Sequence, residues 1–161
     1  MSTIFFIGDT HFGHKNIIKF EPLRAWRRFA TIEEHDEELV KRWNAKVRKG
    51  DRVWMLGDFA FGKHSIAIAA RLNGLKRLVL GNHDHYPSAE YLKYFHKLYG
   101  AATTEGAILT HVPVHPNQLG RFSRNIHGHL HHEKLDDPRY INVSCEQIGM
   151  APIALEELNL G

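Results

Sequence analysis

Five short stretches place side chains able to bind metal directly after apolar runs. Gly81-Asn82-His83-Asp84 follows Leu78-Val79-Leu80, and Gly8-Asp9-Thr10-His11 follows residues 3–7. Gly57-Asp58 follows residues 52–56, His111 follows 106–110, and Gly128-His129-Leu130-His131 follows 124–127. Asp9 and His11 are two apart, and in extended backbone side chains at that spacing point the same way. Asn82 offers a neutral oxygen ligand, His83 a proton, and Asp84 a carboxylate able to orient that imidazole. Each stretch alone is an ordinary polar turn. Together, at the exits of five apolar strands, they point to one shared site, because ligands in open α/β sheets bind beyond the carboxyl ends of strands.

The donors Asp9, His11, Asp58, Asn82, His111, His129 and His131 restrict the metal. Imidazole and carboxylate without thiolate suit Mn²⁺, Fe, Ni or Zn rather than Ca or Mg. Seven ligands exceed what one ion with an open position uses. They suit two ions, and Asp58, the carboxylate that stands alone in its stretch, is the candidate bridge. Two divalent ions roughly 3.5–4 Å apart lower the pKa of a shared water to about 7, and the resulting bridging hydroxide is a nucleophile for phosphorus. The surplus positive charge attracts an anionic ester. His83, held protonated by a nearby carboxylate, then supplies the leaving oxygen with its proton.

Composition agrees. The chain has 161 residues, a formal charge of +3 and 13 histidines, which are spread along it with a cluster at 127–132. The charge fits anionic ligands without requiring nucleic acid. Cys145 is the one cysteine, so no intramolecular disulfide forms and a reducing compartment is expected. The apolar run 4–7 is too short for a signal-peptide core or a membrane span. A soluble, cytoplasmic protein with no membrane partner is the expectation, read as one domain over 1–161.

The positioning elements follow from periodicity and caps. Strands are expected at 3–7, 52–56, 76–80, 106–110, 124–127, 140–144 and 153–155. Helices are expected at 12–20, where Pro22 interrupts, and at 63–72 and 88–98 with Ser88 as N-cap. The clearest helix is 31–47, with a Thr31/Glu34 capping box and Glu37–Lys41 and Glu38–Arg42 pairs. The first half thus reads βα(α)βαβ, the pattern of a parallel sheet. Lys15, Lys19, Arg24, Arg27 and Arg28 read as a solvated basic surface, with a rim for an anionic substrate as the alternative. His14, His85, His115 and His132 read as rim or packing residues, and His35, His64 and His96 as helical surface positions. Arg28, Arg121, Arg124 and Asn125 are within plausible reach of a phosphate.

The order D-x-H, G-D, G-N-H-D, H, G-H-x-H, complete over residues 4–131, resembles the calcineurin-like metallophosphoesterases. The continuation Phe12-Gly13-His14 with Asn16-Ile17-Ile18 resembles a branch of small bacterial and phage phosphoesterases. The resemblance implies a fold of class α/β, with two facing mixed β-sheets flanked by helices in a four-layer α/β/β/α sandwich. It implies Asp9, His11, Asp58 and His131 on one ion and Asp58, Asn82, His111 and His129 on the other. His83 would face substrate, oriented by Asp84.

The function expected is a dimetal phosphodiesterase acting on a small or nucleotide-derived diester. The alternatives are a nuclease or nucleic-acid end-processing enzyme, a phosphomonoesterase, and last a non-catalytic scaffold. The basic stretch 15–28 favours the nuclease. Against it, no room is expected after the last motif for a DNA-binding domain, and no basic run interleaved with aromatics of the single-strand-binding type is counted. The partners expected are a phosphate-ester substrate, a nucleotide or nucleic-acid end among them, and a second copy in a homodimer.

Overall fold

Alternation in the first strand sets the architecture of this computed structural model, which describes residues 1–158. In β1 (Ile4–Ile7), Phe5 and Ile7 enter one core while Phe6 enters another. A strand buried on both faces must be apolar throughout, as this one is. The same division recurs in β2 (Arg52–Met55), where Val53 and Met55 join the first core and Trp54 the second. It recurs again in β3 (Leu75–Val79) with Leu78 and Val79.

Two mixed sheets result. The first has the order β4-β3-β2-β1-β9, with β4 at Lys97–Tyr99 and β9 at Ile153–Ala154. Its strands β1 to β4 are parallel, and β9 runs antiparallel to β1. The second sheet has the order β5-β6-β7-β8, from Ala102–Thr104, Ala107–Leu109, Arg124–His127 and Tyr140–Asn142. Here β5 and β6 are antiparallel, and β6, β7 and β8 are parallel. Phe6, Trp54, Leu56 and Val79 pack against Leu109, Ile126 and Val143 between the sheets. The other face of the first sheet packs on α1 (Ile32–Lys46) through Leu39, Val40 and Trp43. This is the two-sheet sandwich that the family resemblance implies.

Helix α1 starts where Thr31 Oγ1 accepts the Glu34 amide at 3.2 Å, while the Glu34 carboxylate returns to Ala30 rather than to Thr31. Glu38 pairs with Arg42, but Glu37 turns away from Lys41 to grip Arg71 with both oxygens, at 2.6 and 2.8 Å. A planar guanidinium matches a carboxylate better than the expected ammonium does.

Other helices are shorter than periodicity predicts. The stretch 12–20 keeps only a 3₁₀ turn at Lys15–Ile18, because Phe12 is drawn into a bridge with Ala60. The expected 63–72 helix is α2 (Lys63–Ile66) continued by a 3₁₀ turn. The expected 88–98 helix ends early as α3 (Ser88–Leu92), with Pro87 rather than Ser88 at its cap, and Lys97–Tyr99 becomes β4. Pairing with β3 overrides the helical period there. Among the described residues, no helix is long and apolar enough to cross a membrane.

Trp43 is 1 % exposed and its indole donates to the Asn73 carbonyl at 3.0 Å. Trp43→Ala is expected to cost about 3–5 kcal/mol, read from urea unfolding.

Candidate active site

Strand exits from both sheets meet at one edge. Gly8, the residue after β1, ties the sheets together: its amide donates to Val143 O at 2.8 Å and its carbonyl accepts from Cys145 N at 3.1 Å. Beyond this tie the chain stays beside the exit of β2, with Asp9 N donating to Gly57 O at 3.0 Å and Phe12 bridging Ala60 in parallel. Asp9, His11, Asp58, His129 and His131 all take left-handed backbone, with φ between 51° and 71°. Asp and His tolerate that region better than most side chains, at a cost on the order of 1 kcal/mol each. Asp9 and His11 therefore meet through two left-handed kinks, not through extended backbone. Close approach accounts for the motif glycines. A Cβ on Gly81 would lie 2.3 Å from Asp58 Oδ1, and one on Gly57 would lie 2.3 Å from His111 Nδ1.

Two clusters form. Asp9, His11 and His131 make one, and Asp58, His111 and His129 the other; within each, the candidate ligand atoms lie within 4.8 Å of one another. Asn82 joins the second, its Oδ1 3.0 Å from His111 Nε2. The structure thus brings together all seven candidate ligands named from sequence.

Each carboxylate has divided roles. Asp9 Oδ2 accepts from the His129 amide at 2.8 Å and from Ser144 Oγ at 2.7 Å. Its Oδ1 is buried without a hydrogen-bond partner and faces His11 Nε2 and His131 Nε2 at 3.7 and 3.8 Å. Asp58 Oδ1 accepts the His83 amide at 2.9 Å. Its Oδ2 lies between the clusters, 3.7 Å from His11 Nε2 and 3.3 Å from His111 Nε2. One oxygen of each holds backbone and the other points into the site.

The imidazoles are oriented from behind. His111 Nδ1 donates to the Leu56 carbonyl at 2.8 Å, and His131 Nδ1 donates to Glu146 at 3.0 and 3.1 Å. Their Nε2 atoms are left facing the site, the arrangement that fixes tautomer and raises ligand basicity in metal centres. His11 Nδ1 meets His14 Nδ1 at 3.1 Å.

The electrostatics fit a cation. Burial pushes the His11 imidazole down to about 4, so it is a neutral donor, and its buried Nε2 has no hydrogen-bond partner. Burial also acts against charge on His111, but Asp58 and Asp9 outweigh it and lift this ring to about 9. Two ionised carboxylates demand positive charge where they meet. Orphaned Asp9 Oδ1 and His11 Nε2, with the mixed oxygen and imidazole donors, match what a pair of divalent ions requires.

Several sequence expectations are corrected. Asp84 does not orient the His83 ring; its carboxylate accepts the amides of Asp58, Phe59 and Gly81 at 2.7, 3.1 and 2.8 Å. It locks the exits of β2 and β3 together, and burial pushes it up to about 6 against the pull of those amides. The His83 ring lies instead beside Phe61 and His11, with centroids at 4.9 and 6.1 Å. Asn125 is fully buried and bonded to Val114, Ile108 and Thr110, out of reach of a phosphate.

Arg27 and His35 are not surface residues; both are fully buried. Arg27 donates to Glu146 through Nε and Nη2 at 2.9 to 3.2 Å, and to the carbonyls of Thr10 and Asp9. His35 lies 3.0 Å from Arg27 Nη1 and 2.9 Å from Asp36. Glu146 escapes sequence reasoning because it follows no motif and sits 15 residues past His131. No local signal marks it.

Paired His/Asp clusters where the strands of two facing sheets end define an α/β sandwich protein fitted to hold two divalent cations. The chain belongs to the calcineurin-like phosphoesterase family, whose profile matches residues 2–154. It is therefore a metallophosphoesterase, of a family of metal-dependent phosphoester hydrolases. It is 34 % identical to an uncharacterized protein of Methanocaldococcus jannaschii, over 97 % of this chain and 89 % of that one. It is 39 % identical to the gene 66 protein of Mycobacterium phage L5, over 52 % of this chain and 41 % of the phage protein. Among solved structures, a protein of unknown function from Aquifex aeolicus superposes with a TM-score of 0.79 at 25 % identity, over 99 % of this chain and 98 % of that one. A novel archaeal phosphodiesterase shares the fold with a TM-score of 0.51 at 19 % identity, over 91 % and 86 %.

Glu146 generates a pH prediction. Burial opposes its charge, but Arg27 and His131 outweigh burial and hold the carboxyl at about 2, against an ordinary 4.5. Below pH 4.5 the unfolded chain takes up a proton that the folded one refuses, so this stabilisation, complete above 4.5, is lost as pH falls toward 2. Unfolding free energies of chelator-treated protein should fall over that window, with a shallower fall in Glu146→Gln.

Proposed function

We propose that the protein is a phosphodiesterase, with Asp9, His11, Asp58 and His131 holding one divalent transition-metal ion and Asp58, Asn82, His111 and His129 the other. Mn²⁺ is the first choice, with Fe, Ni or Zn also suited to these donors. The observation behind this reading is Asp58 Oδ2, which lies within 3.7 Å of an imidazole from each cluster, where a shared ligand must stand. Such a pair of ions, when bound, supplies a nucleophilic water at neutral pH and charge opposing that of the phosphoryl group.

The chain's own part is to orient and to move a proton. His83 is fixed at its backbone by Asp58 Oδ1, while its half-buried ring stays open to substrate beside His11 and Phe61. From there its N–H serves the departing alkoxide. A phosphate ester expels a poor alkoxide leaving group, and a proton donor at that position assists its departure. The archaeal relative described as a phosphodiesterase is in line with this reading. Asp84 acts one step behind, holding the two turns that carry Asp58 and His83 at a fixed separation. The reducing, cytoplasmic setting proposed from the lone, buried Cys145 is compatible with this thiolate-free site.

Mn²⁺-loaded protein is expected to hydrolyse bis-p-nitrophenyl phosphate faster than p-nitrophenyl phosphate; the reverse order overturns the diester preference. His83→Ala should retain both ions by elemental analysis and lose about 10²-fold or more in turnover. Asp58→Asn should lose bound metal. Two ions retained in that variant would remove the bridging role.

A further inference from the structure

We propose that the segment 15–28 is a binding rim for single-stranded nucleic acid, laid beside the first cluster. This rests on the phosphodiesterase reading above and names the class of its substrate. Among the described residues, Phe20 and Trp26 are the aromatic side chains that stand in solvent, at 48 % and 42 % exposure, and both belong to this one segment. Every other Phe, Trp and Tyr ring among the described residues is buried or half-buried. Water-facing Phe and Trp are not explained by packing.

Their placement connects them to the site. Phe20 meets the His14 ring edge-on at 5.9 Å, and His14 stacks 5.3 Å from His11. His11 lies 5.1 Å from His131. The next residue, His132, meets Trp26 at 5.3 Å. One aromatic therefore borders the cluster on the His11 side and the other on the His131 side. Two platforms set apart in this way call for more than one base, hence a strand rather than a single nucleotide.

Charge agrees with that occupant. Lys15, Lys19, Arg24 and Arg28 are exposed on the same segment, and its single acid, Glu21, lies 3.8 Å from Arg24. Bases stack on aromatic rings while cations track the phosphates, which is how single strands are held without sequence preference. The sequence reading counted no aromatic-interleaved basic run; the exposure of Phe20 and Trp26 among these cations supports the opposite reading.

The rim is also preorganised. Arg27 points inward, bound to Glu146 and to the backbone of Asp9 and Thr10, while its neighbours Trp26 and Arg28 point out. Ile17, Ile18 and Ile32 form a small core beneath, with Leu23 and Phe29 against it. A segment with little regular structure is thus held at a fixed distance from the clusters.

The test is equilibrium binding of a dye-labelled phosphorothioate oligothymidylate to the Mn²⁺-loaded protein, read by fluorescence anisotropy of the strand, with tryptophan quenching as a second readout in the parent protein. Trp43 and Trp54 are 1 % and 6 % exposed, so quenching reports on Trp26. The base-bearing strand should bind at least about tenfold tighter than an abasic chain with the same number of phosphates, and tighter than duplex. Trp26→Ala and Phe20→Ala should each weaken it roughly tenfold. Lys19→Ala with Arg28→Ala should flatten the log–log salt slope by about 1.4. Equal binding of the abasic chain, or unchanged binding by Trp26→Ala, overturns the rim. If bis-p-nitrophenyl phosphate is hydrolysed while oligothymidylate binds no better than the abasic chain, the rim alone falls. If oligothymidylate binds through Trp26 and Phe20 but no diester is hydrolysed, the rim stands and the hydrolase reading falls.

Discussion

Two buried carboxylates that each serve two purposes hold this edge of the molecule together. Asp9 ties β1's exit to the His129 turn and to Ser144, while its second oxygen stays bare. Asp58 does the same between β2's exit and the His83 turn. A carboxylate has about four acceptor sites, so one oxygen can satisfy backbone amides and leave the other for the site. The left-handed turns at Asp9, His11, Asp58, His129 and His131 cost energy that these amide bonds help offset. The same arrangement concentrates negative charge, which is what makes the edge receptive to cations.

Beneath the edge lies a second layer of buried charge. Arg27 and Glu146 form a fully enclosed pair, and Glu146 also orients His131. Desolvating two charges is expensive, and such a pair is weak evidence for net stability. Here it has a positional role: it joins the segment 15–28, the Asp9 turn and the stretch after β8 at one point. The geometry of the first cluster and the position of the rim are therefore linked through one guanidinium.

The ligand stretches were legible because chemistry forces unusual residues into short runs. An apolar strand followed by glycine and then Asp, Asn or His is visible from the sequence, and the strands that carry these stretches came through nearly intact, since burial on both faces leaves continuous apolar runs, whereas β4 and β5, which carry none, were not foreseen. The helices were less legible. Period 3.6 in 88–98 was overruled when Lys97–Tyr99 found an edge on β3, and 12–20 lost its helix to a bridge between Phe12 and Ala60. Arg27 looked like any residue of a basic surface, and Asp84 like the natural partner of its neighbour His83.

The amino-acid order by itself determined the five motif stretches, the family they resemble, through which the two-sheet sandwich was expected, and the seven side chains offered for one site, because each is tied to a strand end by local sequence. Tertiary structure alone decided what lies behind and beside them: Glu146 behind His131, Asp84 on backbone amides, Arg27 inside, Trp26 and Phe20 outside. These pairings join residues as far as 119 positions apart, or depend on which way a turn faces. No local spacing encodes that, since it emerges only when the two sheets close and assign each side chain to core, site or solvent.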